Sequence, residues 1–234
     1  MIAHEFRYSP SRATIKELIS EGFIGEPRHL SFSLFMEFRR PPGAPPRPVS
    51  LGSSGILGGL GSHYIDCMRD WFGDIDSVSG SVHGQVPEGA SLEDANDGFD
   101  IQLEFANGAW GAMACSFGSP FGPGARLAIY GSEGSLHTTQ RGPNPDVNGV
   151  VLGGRTGEHD ALVEMPIPER LRPIEDDRDD RLAAFRILTQ RFVEGVEQGT
   201  SPSPNFDDGL ACQRVMAAVQ EATASGGRIR VTED

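Results

Sequence analysis

The chain has 234 residues, of which 38% are hydrophobic and 23% are charged, and its formal net charge is -13. This length and apolar content are typical of a globular protein and exclude a disordered or fibrous chain. With 33 acidic against 20 basic residues, the chain is a poor partner for nucleic acid or for an anionic membrane surface. The charged N-terminus and the absence of any run of roughly 20 apolar residues predict a cytoplasmic protein without a membrane span.

Three cysteines and one lysine limit the chemistry that the chain can perform. Cys67, Cys115 and Cys212 cannot all pair with one another, and their wide spacing resembles no zinc motif. We therefore expect reduced thiols. Lys16 is the one lysine in the sequence, so it is the single candidate for any catalytic lysine.

The first forty residues predict a strand, a helix and a second strand. Met1–Tyr8 is predicted to be a short strand. Ser9 can cap a helix that has Pro10 at its first position, and Gly22 can end that helix. Apolar side chains alternate along His29–Arg39, which indicates a strand with one face in the core.

A glycine-rich segment introduces the next helix. The run Gly52–Gly61 follows a proline-rich loop, Pro41–Pro48, and apolar residues then recur at helical spacing to about Gly73. A glycine inside a helix costs roughly 1 kcal/mol relative to alanine. The glycines therefore predict that something must approach this helix start closely.

After this helix, apolar residues recur at every second position, which predicts a series of strands. Helical spacing then returns and predicts two helices. The hairpin signal Asn107–Gly108 joins two of the strands. The predicted strands are Ser77–Val82, Phe99–Phe105, Ala109–Phe117, Arg126–Tyr130, Ser135–Thr139, Val150–Leu152, Leu162–Met165 and Arg228–Val231, and the helices are Leu182–Val196 and Leu210–Val219.

These elements predict an α+β fold formed by residues 1–234 as one domain. An open, mostly antiparallel sheet would have helices on one face. The other face would carry Phe35 and Trp110 among its strands. An exposed apolar patch of this kind usually marks a contact surface, so we expect a homo-oligomer, a dimer or a tetramer.

The glycine run only partly matches a dinucleotide-binding motif. Gly59–Tyr64 begins like G-x-G-x-x-G but lacks the last glycine, and no parallel βαβ pattern follows it. The chain by itself is therefore expected to bind no cofactor.

His63 is the main candidate for chemistry, because histidine is the usual acid–base group at neutral pH and the glycines would let a substrate reach it. His63 could equally fill the flank of its helix and bond a backbone carbonyl. Arg39, Arg40 and Gly59 are candidate substrate-binding residues beside it. A metal site through His63 and Asp66 has no third ligand at a recognisable spacing. The acidic run 175–180 is typical of a solvated helix start.

Four segments together resemble the C-terminal domain of the Gfo/Idh/MocA oxidoreductase family. Phe6–Pro10 and Glu21–Pro27 are similar to the R-[FY]-x-P and G-x-I-G motifs at the entry into that domain. Gly55–Asp66 resembles the family's G-G-x-x-x-D-x-G-x-H-x-x-D helix, and Ser203–Ala222, which contains Asp207–Gly209, resembles its closing helix.

The resemblance implies part of a dehydrogenase. Family members pair an N-terminal Rossmann domain, which binds NAD(P), with this α+β domain, which shapes the pocket for a sugar, polyol or related hydroxy compound and supplies the oligomer interface. The resemblance implies hydride transfer between a substrate C–OH and nicotinamide, assisted by a lysine, an aspartate and a histidine. NAD(P) would then come from the Rossmann domain, which is not in this sequence.

The sequence departs from the family pattern at two of the catalytic groups. Aligned on Gly61 and His63, the family's aspartate position holds Gly59, and Lys16 lies in the wrong motif to supply the lysine. Asp66 matches a later aspartate that is usually structural. Three functions stay open: the substrate-binding and oligomerisation portion of a dehydrogenase, a non-catalytic ligand-binding or assembly module, and a cofactor-free lyase or isomerase that uses His63.

Overall fold

The computed structural model describes residues 1–37, 55–84, 98–174, 176 and 178–232. Arg39, Arg40 and the predicted loop Pro41–Pro48 lie outside the described residues. Within the described ranges, no helix is long and apolar enough to cross a membrane.

Four α-helices and nine strands make up most of the described chain. The helices are α1 Pro10–Ser20, α2 Ser62–Phe72, α3 Leu182–Gln198 and α4 Phe206–Ser225. Two short 3₁₀ turns lie at Glu5–Tyr8 and Glu169–Leu171. The strands are β1 Pro27–Phe35, β2 Ile75–His83, β3 Gly98–Phe105, β4 Trp110–Ser116, β5 Gly124–Gly131, β6 Gly134–Gln140, β7 Val151–Arg155, β8 Val163–Met165 and β9 Ile229–Arg230.

The nine strands form one open sheet in the order β8-β7-β6-β5-β1-β4-β3-β2-β9. Only the pairing of β1 with β4 is parallel, and the other pairings are antiparallel. The Asn107–Gly108 hairpin forms as predicted: the Phe105 amide donates to the Ala109 carbonyl, and Gly108 has a φ of 86° that favours glycine. The predicted α+β fold with a mostly antiparallel sheet is confirmed.

The alternation along β1 separates the two faces of the sheet. Leu30, Phe32 and Leu34 are buried in the core, together with side chains from the helices such as Ile15 of α1 and Val219 of α4. The opposite face carries an aromatic stack. His29 lies between Trp110, at a ring-centroid distance of 4.8 Å, and Tyr130, at 4.6 Å, and Trp110 is 53% exposed. One face of the sheet is therefore core, and the other carries an aromatic cluster in which Trp110 is half-exposed.

The predicted strand at Met1–Tyr8 is wrong. Glu5–Tyr8 forms the first 3₁₀ turn, and Ser9 then takes an extended conformation before Pro10 begins α1. Phe6 is buried in the core, and Arg7 bonds a carboxylate on α2. Because these contacts are made with residues distant in the sequence, the local sequence does not predict the conformation of this segment.

Candidate active site

The glycine run enters α2 through a wide helical turn. Leu57–Gly61 is π-helical, and the Ser62 amide donates to the Leu57 carbonyl. A Cβ atom at Gly61 would lie 3.0 Å from Leu57 Cδ1 and 3.3 Å from the Phe99 ring, whereas a Cβ atom at Gly59 would meet nothing within 4 Å. Packing therefore explains Gly61, and Gly59 borders open space.

His63 is the second residue of α2, and it faces the N-terminal 3₁₀ turn. Its ring lies 4.4 Å from the Phe6 ring and 5.2 Å from the His4 ring, measured between centroids. Its Nδ1 atom is 3.5 Å from Glu5 Oε2. Nδ1 is buried and has no hydrogen-bond partner among the described residues, while 19% of the side chain is exposed.

Burial shifts the pKa values of His63 and Glu5. Burial, together with the nearby His4, lowers the pKa of His63 to about 4, although Asp66 opposes the shift. Burial also raises the pKa of Glu5 above its usual value. At neutral pH, His63 is therefore a neutral imidazole that can accept a proton.

His63 and Glu5 line the same cavity, which has a volume of about 360 Å³ and lies between the 3₁₀ turn, α2 and the start of α3. Its other lining residues are Ala3, Asp179, Arg181, Leu182 and Phe185. Arg181 binds Asp179 through two hydrogen bonds of 3.0 Å. The cavity therefore combines an imidazole, a carboxylate and a guanidinium with the apolar Phe185, and its size suits a small polar molecule.

A buried ion cluster lies one turn further along α2. Arg7 NH2 donates to Asp66 Oδ1 at 2.6 Å, and Arg7 NH1 donates to Asp70 Oδ1 at 3.0 Å. Arg7 also reaches Asp208 of α4 at 3.1 Å. Because the Asp66 side chain is fully buried and both of its oxygens are bound by Arg7, this aspartate anchors the turn to the helix, in keeping with the structural role expected for it.

His63 and Asp66, the pair that lacked a third metal ligand at a recognisable spacing, have different partners in the structure. Asp66 faces Arg7, while His63 faces Glu5. Asp66 does lie near two other ligand types, because atoms of His4, Asp66 and Cys212 fall within 4.8 Å of one another. However, Arg7 occupies both oxygens of Asp66, and burial raises the pKa of the Cys212 thiol to about 12. A protonated thiol and a guanidinium do not form a cation site.

The structure therefore brings together only part of the predicted site. His63 and Gly59 lie on the same helical segment, while the predicted residues Arg39 and Arg40 lie outside the described residues. Sequence reasoning missed Glu5, because nothing in the local pattern connects it with a histidine 58 positions later.

The chain is thus an α+β domain with an open sheet, and the His63 ring lines a cavity at the start of α2. Residues 13–137 match the sequence model described as the GFO/IDH/MocA C-terminal domain. The chain belongs to this family.

Known relatives agree with this assignment. The chain is 34% identical over 133 residues to a scyllo-inositol 2-dehydrogenase (NAD(+)) of Bacillus subtilis, an alignment that covers 56% of this chain and 37% of the relative. It is 26% identical over 265 residues to a levoglucosan dehydrogenase of Pseudarthrobacter phenanthrenivorans, covering 100% of this chain and 67% of the relative. A solved levoglucosan dehydrogenase in complex with NADH has the same fold, with a TM-score of 0.84 at 22% identity, covering 100% of this chain and 66% of that one. The chain thus spans about two thirds of these relatives at most.

Proposed function

We propose that this chain is the substrate-binding and oligomerisation portion of an NAD(P)-dependent oxidoreductase that acts on a sugar, polyol or related hydroxy compound. The observation that carries the proposal is the neutral imidazole of His63 at the wall of the 360 Å³ cavity. The names of the relatives, which are inositol and levoglucosan dehydrogenases, support the substrate class.

In this proposal, His63 accepts the proton of a substrate hydroxyl. Oxidation of a C–OH group to a carbonyl releases that proton together with a hydride. His63 is neutral above about pH 5, since its pKa is about 4. Its ring is therefore free to accept a proton at neutral pH, as a weaker base than an unburied histidine. Arg181 and Glu5 offer hydrogen-bond partners to other hydroxyl groups of the substrate from the same cavity wall.

The described part of the glycine run does not have the shape of a nucleotide-binding loop. Gly58 to Gly61 lie inside a helix that has already begun at Gly55, and the turn bonds within itself, as the contact between the Ser62 amide and the Leu57 carbonyl shows. These amides therefore do not form the strand-to-helix cradle that holds a pyrophosphate. We propose that a separate nucleotide-binding domain supplies the nicotinamide.

Binding of polyols to the chain tests the proposed site. The probes are myo-inositol and levoglucosan, and NMR of the labelled histidine rings reports where they bind. At least one probe should shift the His63 ring signals, while the His159 ring, which lies near Phe23 away from the cavity, should stay unchanged. Binding that leaves the His63 signals unchanged, or no binding of either probe, would contradict the site.

A non-catalytic ligand-binding or assembly module is the second candidate, and Gly59 favours it. The position that holds an aspartate in the family pattern is here a glycine whose missing side chain faces open space. Packing does not require glycine there, so the acidic group is absent without a steric reason. An assembly module would leave the polyol probes unbound, and a ligand-binding module would bind them without turnover.

The aromatic cluster supports oligomerisation through the open sheet face. We expect light scattering at micromolar concentration to show a dimer or a tetramer, because a cluster around the half-exposed Trp110 usually marks a contact surface. Trp110→Lys should weaken the association. Phe192→Lys is the matched control, since Phe192 is 50% exposed but lies on α3. A monomer, or dissociation by the Phe192 variant alone, would exclude this interface.

A further inference from the structure

Glu5 is a buried carboxylate whose ion-pair contact among the described residues is the His63 ring. It is 8% exposed and lies at the start of the N-terminal 3₁₀ turn. The positive charge of Arg181 acts on it across the cavity, but Arg181 is already bound by Asp179. Burying a carboxylate is costly unless hydrogen bonds or opposite charge compensate. A backbone hydrogen bond and these charges compensate only part of the burial, since the pKa of Glu5 is still raised, so a further donor would stabilise the carboxylate.

His63 lacks a hydrogen-bond partner at one of its ring nitrogen atoms. Its Nδ1 atom is buried and has no hydrogen-bond partner among the described residues, although buried nitrogen atoms are nearly always bonded. Glu5 Oε2, 3.5 Å away, is the charged oxygen that faces it. Hydrogen bonds of catalytic groups are often long in ligand-free structures and tighten when the substrate binds. A small movement of either side chain would satisfy both groups.

We propose that Glu5 is a positioning residue for His63: its carboxylate accepts the Nδ1 proton, orients the ring and leaves Nε2 unprotonated toward the cavity. The arrangement follows the logic by which a buried carboxylate fixes the tautomer of a catalytic histidine. It also provides a carboxylate beside His63 where Gly59 provides none. The use of Nε2 as a proton acceptor rests on the proposed function, but the Glu5–His63 pairing does not.

The other charged groups near the ring cannot replace Glu5 in this role. Asp66 faces the opposite side and is bound by Arg7. Asp179 lines the cavity but is held by Arg181, and no described contact joins it to His63. His4 lies 5.2 Å from the His63 ring, and its Nδ1 atom points to Asp66 at 3.0 Å. The Glu5 oxygen is thus the acceptor at Nδ1.

The protonation of the two ring nitrogens tests the pairing directly. ¹⁵N chemical shifts of the His63 ring should be measured in the full chain near neutral pH, with the signals assigned by loss in His63→Gln. We expect the Nδ1–H form to predominate. In Glu5→Gln, which keeps the size of the side chain but removes its charge, the fraction of the Nδ1–H form should fall, because the neutral amide oxygen is a weaker acceptor than the carboxylate and the amide N–H can itself donate to Nδ1.

Glu21→Gln is the matched control, because Glu21 is an exposed carboxylate at the end of α1. It should leave the His63 shifts unchanged. A predominant Nε2–H form in the unsubstituted chain overturns the pairing even if Glu5→Gln fails to fold. Unchanged His63 shifts in a folded Glu5→Gln variant overturn it as well.

The outcome is independent of the proposed function, because the measurement uses no substrate and no cofactor. If the polyol probes fail to bind but the tautomer depends on Glu5, the pairing stands and the proposed substrate class fails. If the probes bind at His63 but the tautomer of its ring is the same in Glu5→Gln, the proposed site stands and the positioning role fails.

Discussion

Arg7→Met should lower the free energy of unfolding by about 3–5 kcal/mol, because removing one partner leaves a buried charge uncompensated. The Asp66 side chain has no exposure, and it would lose both of its bonds to the guanidinium. Asp70 and Asp208 would lose a partner as well. Methionine fills a similar volume, so the expected loss is mainly electrostatic.

The loss should be large because Arg7 joins three elements. It lies in the N-terminal 3₁₀ turn, Asp66 and Asp70 belong to α2, and Asp208 belongs to the first turn of α4. Asp208 also completes the capping box of α4 with Asn205. The substitution would therefore weaken the attachment of the turn that carries Glu5 toward His63.

Equilibrium unfolding in urea measures the effect, and Arg170→Met is the control. Arg170 makes a similar bond of 2.7 Å to Glu17, but the Arg170 side chain is 60% exposed. Exposed pairs contribute about 0–1 kcal/mol, so the control should change little. Equal losses in the two variants, or a loss below about 1 kcal/mol in Arg7→Met, would show that the cluster does not stabilise the fold as a buried charge network.

The same cluster predicts how stability depends on pH. Burial opposes ionisation of Asp66, but hydrogen bonds from His4 and Arg7 hold its pKa below the usual value. An acid whose pKa is lower in the folded state contributes stability above its unfolded pKa, near 3.9, and loses it as pH falls through the folded pKa. The unsubstituted chain should therefore lose this contribution below about pH 4. In Arg7→Met, burial without the guanidinium raises the pKa of Asp66, and protonation in acid relieves the penalty, so the difference in stability between the two chains should shrink as pH falls through this range.

Much of the fold could be predicted from local pattern. The alternation of Leu30, Phe32 and Leu34 identifies β1, because successive side chains of a strand point to opposite faces. Ser9 and Pro10 mark the start of α1, since proline suits the first helical position. Such signals work where the residues that decide a conformation are neighbours in the sequence.

The N-terminal turn and most of the site depend instead on distant residues. Met1–Tyr8 is predicted to be a strand, but burial of Phe6 and the bond from Arg7 to Asp66 stabilise a 3₁₀ turn at Glu5–Tyr8. His63 could be identified as a candidate from its own helix, whereas its partner Glu5 comes from that misassigned turn. Likewise, Gly61 is constrained by packing and Gly59 is not, because Phe99 of β3 approaches Gly61 alone.

In a protein that joins this chain to a nucleotide-binding domain, His63→Gln should lower kcat by roughly 10²–10⁴-fold, the usual contribution of a general acid–base group. The loss should appear mainly in kcat, because the imidazole acts on the hydroxyl proton as the bond to hydrogen breaks. The free energy of unfolding should change little, since the ring is partly exposed and its Nδ1 atom makes no hydrogen bond with a described residue.

The pH dependence of kcat separates catalysis by His63 from an indirect effect. With a pKa of about 4, His63 is protonated only in acid, so the activity of the unsubstituted protein should be level near neutral pH and fall as pH drops toward that value. His63→Gln should remove this fall of kcat at low pH, along with most of the activity. His159→Gln, at a histidine outside the cavity, should retain both the activity and the fall of kcat at low pH. If His63→Gln keeps full turnover, or if its loss of activity follows a loss of folded protein, then His63 fills the flank of α2 and the second candidate, a module without catalysis, is the better account of Gly59.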